Sequence, residues 1–235
     1  DWKGQIAYTT PNMNGFAATL GITQPWNTTN LANGTETAAA STVSATSTGG
    51  SDMYAFEGQA SYSWTGDFAG KAWVGAFFQD VQNLNSAVID AAGNGTVDED
   101  AQAFEAGIST TVMNIGLVAY AYSGEGVGTT GMLSDGFDSN GSTRDSDGGY
   151  VQATYVIPMG TKLGVSYGVS YLDDNTIDAG KNLVKENNRI TVGAYHPLTK
   201  HLNLVAEFSQ VESKSNGPEA SLETDIFSVG AILFF

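Results

Sequence analysis

The 235-residue chain carries 25 acidic and 9 basic side chains for a formal net charge of -16. Only 14% of its residues are charged, where an ordinary soluble domain has about 25%. The acidity excludes a nucleic-acid face, the lack of cysteine excludes a disulfide framework or thiolate metal site, and no run approaches the roughly 18 apolar residues of a membrane helix. The length suits one all-β domain spanning residues 1–235.

Alternation with a period of two predicts about eleven strands. In chain order they fall near 2–9, 15–24, 54–64, 71–81, 102–112, 115–123, 149–158, 162–172, 187–196, 200–211 and 223–235. The pattern is clearest in LGVSYGVSY, where Leu163, Val165, Tyr167, Val169 and Tyr171 alternate with Gly164, Ser166, Gly168 and Ser170. Such a strand has two unlike faces. Most of the strands run to about ten residues, the length that crosses a bilayer's hydrocarbon when tilted, rather than the 5 to 6 typical of soluble proteins.

The connections alternate as well. Tight turns are predicted at 11–14, 65–70, 113–114, 158–161 and 197–200, and long Gly/Ser/Thr/Asn/Asp-rich loops at 25–53, 81–101, 124–148, 173–186 and 212–222. Short turns on one side and long loops on the other fit a transmembrane antiparallel β-barrel. Its small and polar face would then line a water-filled lumen, with Lys3, Gln5, Glu57, Gln59, Lys71, Glu105, Lys162, Arg189 and Glu207 pointing inward. Aromatics near strand ends, including Tyr8, Phe16, Tyr62, Trp64, Tyr155, Tyr171 and Phe208, suit girdles at the two interfaces.

The chain ends in FSVGAILFF, with Phe227, Val229, Ala231, Leu233 and Phe235 on one face of the last strand. This ending resembles the C-terminal signal of outer-membrane β-barrels, carried by Phe227, Gly230, Leu233 and the terminal Phe235. The family more often has an aromatic where Leu233 stands. Together with QIAYTTPNMNGFAATLGI and VGAYHPLTKHLNLVAEFS, it makes the whole chain similar to general, non-specific porins of Gram-negative bacteria. The resemblance implies a homotrimer in the bacterial outer membrane, passive diffusion of small hydrophilic solutes, contacts with membrane lipid and lipopolysaccharide, and insertion by the barrel-assembly machinery. It also implies that the chain matches roughly the last eleven strands of a sixteen-stranded barrel, without the constriction loop, because bacterial single-chain barrels have even strand numbers. The other reading of the odd count is one strand misjudged, for instance within 25–53.

No catalytic constellation accompanies these features. His196 and His201 flank a Pro-containing turn with no oriented nucleophile near them. The stretch from Asp90 to Asp100 resembles a calcium loop, with Asp90, Asn94 and Asp98 as candidate Ca2+ ligands. Ala92 and Ala101 stand where an oxygen ligand and a bidentate acid are needed. A second acidic stretch, Ser134–Gly149, reads as another solvated outer loop whose carboxylates could hold divalent ions against lipopolysaccharide phosphates. The N-x-[ST] sequons at Asn27, Asn33, Asn94 and Asn140 reflect loop composition. The alternative function is a β-rich surface adhesin or carbohydrate-binding module that uses the loops.

Overall fold

A computed structural model describes residues 3–30, 46–49, 51–85, 96–138, 140–176, 183–217 and 221–235. Among them are thirteen strands: β1 (Gln5–Thr9), β2 (Phe16–Thr23), β3 (Thr28–Asn30), β4 (Thr46–Gly49), β5 (Ala55–Trp64), β6 (Phe68–Asn85), β7 (Thr96–Val112), β8 (Ile115–Glu125), β9 (Asp145–Val156), β10 (Lys162–Leu172), β11 (Val184–Pro197), β12 (Leu202–Ser215) and β13 (Leu222–Leu233). Eleven form one sheet in the order β1-β2-β5-β6-β7-β8-β9-β10-β11-β12-β13, and β3 pairs only with β4. Each neighbour follows its predecessor antiparallel, so the sheet is an up-and-down meander with β1 and β13 at its edges.

The alternation works as the strand geometry requires. Val165 stands opposite Ala153 and Val192, while its neighbour Ser166 stands opposite Gln152 and Thr191. Apolar side chains therefore collect on one face and small or polar ones on the other, from β1 through β12. Tight turns close one end of the sheet. At the first, Asn14 and Gly15 take left-handed φ values of 54° and 96°, and the Gly15 N–H donates to Asn12 Oδ1 at 2.7 Å. A Cβ on Gly15 would lie 2.2 Å from the Ser63 carbonyl oxygen, so this turn against β5 requires glycine.

At the other end the strands reach beyond their predicted limits. The expected loop at 81–101 contracts because β6 and β7 continue to Asn85 and back from Thr96, through Asp80↔Asp100 and Val81↔Glu99, then past an irregularity to Leu84↔Val97. The backbone breaks step at Asn83, whose φ is 59° and whose N–H donates to Asp98 Oδ1 at 2.9 Å. Likewise β9 starts at Asp145, β11 at Val184, and β12 runs to Ser215. These extensions carry few apolar residues on the face that is apolar lower down, so hydrophobic alternation stops marking them while the hydrogen-bond ladder continues. The segment 25–53 does hold strand, but as the separate hairpin of β3 and β4, so the main sheet keeps eleven strands among the described residues. The last strand ends at Leu233 rather than Phe235, and the Phe234 N–H donates to the His201 carbonyl at 2.8 Å.

The buried hydrophobic cluster does not run the length of the sheet. Val81, Leu84, Ala101, Val127, Leu133 and Phe137 form it at the long-loop end, flanked by Trp26, Phe77, Val97, Ala103 and Met132. It seats the β8–β9 loop, residues 126–144, back over the polar face. That face is inner by this criterion, and the apolar face is outer.

Candidate channel wall

The outer face is an exposed apolar surface. Leu20, Phe56, Val74, Phe104, Ile108, Leu117, Val151, Val165, Ile190, Val192, Leu204 and Val229 all lie open on it. Such a contiguous apolar area far exceeds what soluble monomers leave in water. Aromatics edge it: Phe16 stands opposite Tyr62 beside the short turns, and the Tyr62 and Trp64 rings stack with centroids 6.3 Å apart. The Trp64 indole N–H donates to the Phe68 carbonyl, tying the ring across its turn. On β13, Phe227, Val229, Ala231 and Leu233 belong to this outer face, opposite Phe208, Ala206, Leu204 and Leu202. Gly230 points inward opposite Val205, and Phe235 is fully exposed beyond the strand.

The inner face holds the predicted polar set. Lys3, just ahead of β1, makes an ion pair with Glu57 at 2.8 Å and places its ammonium 4.5 Å from the centre of the Trp26 ring. Gln5 stands opposite Thr23, and Thr23 Oγ1 donates to Glu57 Oε1 at 3.4 Å. Gln59 Nε2 donates to Glu105 Oε1 at 3.1 Å, and Tyr120 donates its hydroxyl to Glu105 Oε2 at 2.9 Å. Lys71 stands between Ser63 and Ser109, and Lys162 between Val156 and Tyr195. Arg189 donates from Nη2 to Ser209 at 2.8 Å and from Nε to Thr191 at 3.1 Å, while Glu207 accepts from the Tyr195 hydroxyl. Glu57 and Glu105 thus share the β5–β7 side of the wall, whereas Lys162 and Arg189 share the β10–β11 side. Glycines leave room for the larger inner side chains. Gly107 faces Trp73, and a Cβ there would meet that indole at 2.0 Å. Gly107→Val is expected to force Trp73 off the wall, read as a shift in its fluorescence emission, with little change from Gly230→Ala, whose Cβ would meet nothing within 4 Å.

Sequence reasoning missed the inner tyrosines. Tyr120 and Tyr122 alternate with Ala119 and Ala121, and their signal was the same period of two that marked Glu105. Tyr120 packs 5.4 Å from Tyr150 and 6.4 Å from Tyr122, measured between ring centres. The Tyr122 hydroxyl lies 2.5 Å from Ser170 Oγ, which in turn lies 2.6 Å from Thr129 Oγ1 of the loop above.

Sequence also misread the loop from Ser134 onward as a solvated acidic stretch. Asp135 and Asp138 are 2% and 5% exposed, and Arg144 is 2% exposed, donating from Nη1 to the carbonyls of Asp135 and Phe137 at 2.7 Å each. Asp138 Oδ1 accepts the N–H groups of Asn140 and Ser142 at 2.8 and 3.0 Å, and Oδ2 accepts from Asn175 at 2.9 Å. These aspartates are built into a folded loop.

Of the candidate calcium ligands, Asp90 and Asn94 lie outside the described residues, and Asp98 stands exposed in β7 with the Asn83 N–H on Oδ1. Among the described residues no group of three or more His, Asp or Glu side chains is placed to hold a metal. His196 Nδ1 lies 3.0 Å from Thr161 Oγ1, and His201 Nδ1 3.1 Å from the Phe234 carbonyl, so both histidines fasten the turn end of the sheet.

No protein-family model and no curated protein sequence matches the chain. Solved structures do. The chain is similar to the outer membrane channel DcaP of Acinetobacter baumannii, with a TM-score of 0.72 and 14% identity over 98% of this chain and 62% of that one. An anion-selective porin from Comamonas acidovorans gives a TM-score of 0.59 and 15% identity over 97% of this chain and 59% of the other. OmpT, an outer membrane protein of Vibrio cholerae, gives 0.57 and 16% over 98% and 64%. The fold is that of outer-membrane porin barrels, and the chain spans less than two thirds of the length of these structures.

Proposed function

We propose that the chain forms a large part of the wall of a water-filled channel in a bacterial outer membrane, passing small hydrophilic solutes by diffusion. The two-faced sheet carries this reading. An apolar, aromatic-edged outer face has a favourable home only in lipid, and the ladder of charged and hydroxyl side chains behind it has one only in water. A continuous pore requires both open edges, β1 and β13, to be paired, because unpaired N–H and C=O groups are not tolerated in hydrocarbon. Lipopolysaccharide and outer-membrane lipid are the surroundings this surface fits. Assembly as a homotrimer and recognition of Phe227, Gly230, Leu233 and Phe235 by the insertion machinery remain part of the proposal through the resemblance of the C-terminal segment to porins. The direct test is reconstitution of the purified protein into planar bilayers. Stepwise conductance that scales with bulk salt is expected. Detergent-free monodispersity with no conductance would instead favour a soluble binding module.

Net charge alone suggests strong cation selectivity, but the inner wall is nearly balanced. Lys3, Lys71, Lys162 and Arg189 face Glu57, Glu105 and Glu207, and Glu57 is already paired with Lys3. Carboxylates at a wide mouth are screened beyond a Debye length of about 8 Å at physiological salt. Reversal potentials across a KCl gradient are therefore expected to give a weak cation preference at low salt that fades as salt rises. Anion preference at low salt, or strong cation preference at molar salt, would contradict this charge distribution.

A further inference from the structure

The chain has five methionines, and three of them, Met13, Met113 and Met159, lie in the short turns that join β1 to β2, β7 to β8 and β9 to β10. The short turns are a small part of the sequence, yet they hold most of its methionine. Met113, Met159 and Met13 are 92%, 72% and 54% exposed, and none belongs to the buried hydrophobic cluster or flanks it. Two of these turns are neighbours, since the Val156 N–H donates to the Asn114 carbonyl at 2.9 Å just ahead of the Met159 turn.

Met113 also stands where the backbone disfavours it. Val112 pairs with Ile115, which leaves a two-residue turn in which Met113 takes a φ of 52°. Left-handed positions in such turns suit Gly, Asn or Asp, and a long side chain held in solvent gains no packing to offset the strain. An apolar tip does not by itself require sulfur, because Leu198 fills the corresponding place between β11 and β12 and is also exposed. What methionine adds is a thioether that oxidants can reach.

Met132 is the opposite case. It packs against the cluster of Val127, Leu133 and Phe137 with β6 and β7 that seats the 126–144 loop, at the far end of the sheet from the short turns. Oxidation there would set a polar sulfoxide against apolar side chains and loosen the loop.

We propose that Met13, Met113 and Met159 are modification sites, oxidised to methionine sulfoxide by peroxides ahead of Met132, so that the turn end consumes oxidant without loss of structure. In each reaction the thioether sulfur attacks one oxygen of hydrogen peroxide, and the S–O bond forms as the O–O bond breaks. The sulfur gives up two electrons, and the departing hydroxide takes the proton from the transferred oxygen and leaves as water. The product is polar, but at these tips it stands clear of the sheet, and sulfoxide reductases can return it to the thioether.

The test exposes the purified protein in detergent to hydrogen peroxide and follows each methionine by peptide mass spectrometry. Oxidation is expected fastest at Met113, then Met159, then Met13, with Met132 at least tenfold slower than Met113 and the circular dichroism of the sheet unchanged. Methionine sulfoxide reductases acting on both sulfoxide epimers are expected to remove the added oxygen from the three turns. The combined variant Met13→Leu, Met113→Leu and Met159→Leu keeps apolar tips, and with peroxide limiting it is expected to show a larger oxidised fraction of Met132 than wild type. The order of rates is read on wild type alone, so it decides the matter even if the variant fails to fold. Oxidation of Met132 as fast as Met113, equal oxidation of Met132 in variant and wild type, or loss of folded sheet when only the turn methionines carry oxygen would each overturn the proposal.

Discussion

Val165→Arg is expected to destabilise the protein by about 2 to 4 kcal/mol in a lipid environment, while Ser166→Arg is tolerated. Val165 is 45% exposed on the outer face of β10, one step from the middle of the stripe Leu163, Val165, Tyr167, Val169 and Tyr171. Its cross-strand partners, Ala153 and Val192, offer an arginine neither a hydrogen bond nor a counter-charge. In hydrocarbon the guanidinium must stretch toward an interface or thin the bilayer around it. Ser166 is its chain neighbour but stands between Gln152 and Thr191 on the inner face, where an arginine finds water and polar partners. Urea titration of refolding into lipid vesicles measures both variants against wild type. Equal destabilisation would contradict a wall with one lipid and one water face, and a larger effect of Ser166→Arg would mean that the two faces have been assigned the wrong way round.

Removing Phe235 is expected to reduce assembled, heat-modifiable protein to a small fraction of the wild-type level, whereas Thr129→Ala in the inner loop leaves assembly intact. Phe235 makes no packing contribution that the fold depends on, since it is fully exposed past the end of β13. A purely thermodynamic account therefore predicts little effect of its loss on the finished sheet. The large effect is expected on the pathway, because the segment resembles the signal by which outer-membrane barrels are recognised for insertion. Semi-native gels of membrane fractions separate the two accounts. Normal assembly without Phe235 would leave its apolar ending with no role in biogenesis. Failure of insertion in cells together with normal refolding of the purified variant in vitro would locate the defect in recognition.

The strands were legible wherever one face is greasy and the other wet. LGVSYGVSY marks β10 to within one residue at each end, because each of its side chains has an unambiguous destination. The same rule put Glu57, Glu105, Arg189 and Glu207 on the face away from the apolar stripe, and in the register they stand across from Phe77, Gly75, Gly168 and Ser228. It failed above the apolar band. In β6 the run from Gln82 to Asn85 continues as strand past the expected limit at 81, because Asp80 and Gln82 interrupt the hydrophobic signal while backbone pairing there no longer needs an apolar face. It failed again at the β8–β9 loop. Asp135, Asp138 and Arg144 look like solvent-loving residues one at a time, and only the fold reveals that Arg144 closes on the carbonyls of Asp135 and Phe137 and Asp138 on the N–H groups of Asn140 and Ser142. Tyr120 and Tyr122 were readable from their spacing, but nothing in a single sequence places Glu105 and Ser170 against them.

Water is expected on the Ser166 side of the sheet and lipid on the Val165 side. The chain has no cysteine, so single cysteines introduced from Leu163 to Tyr171 can be read without background. The measurement is labelling of each variant, embedded in membranes, by a membrane-impermeant maleimide. Cysteines at 164, 166, 168 and 170 are predicted to react, and those at 163, 165, 167 and 169 to stay protected, giving a period of two along β10. Uniform reaction along the strand, or reaction confined to the odd positions, would contradict the channel wall.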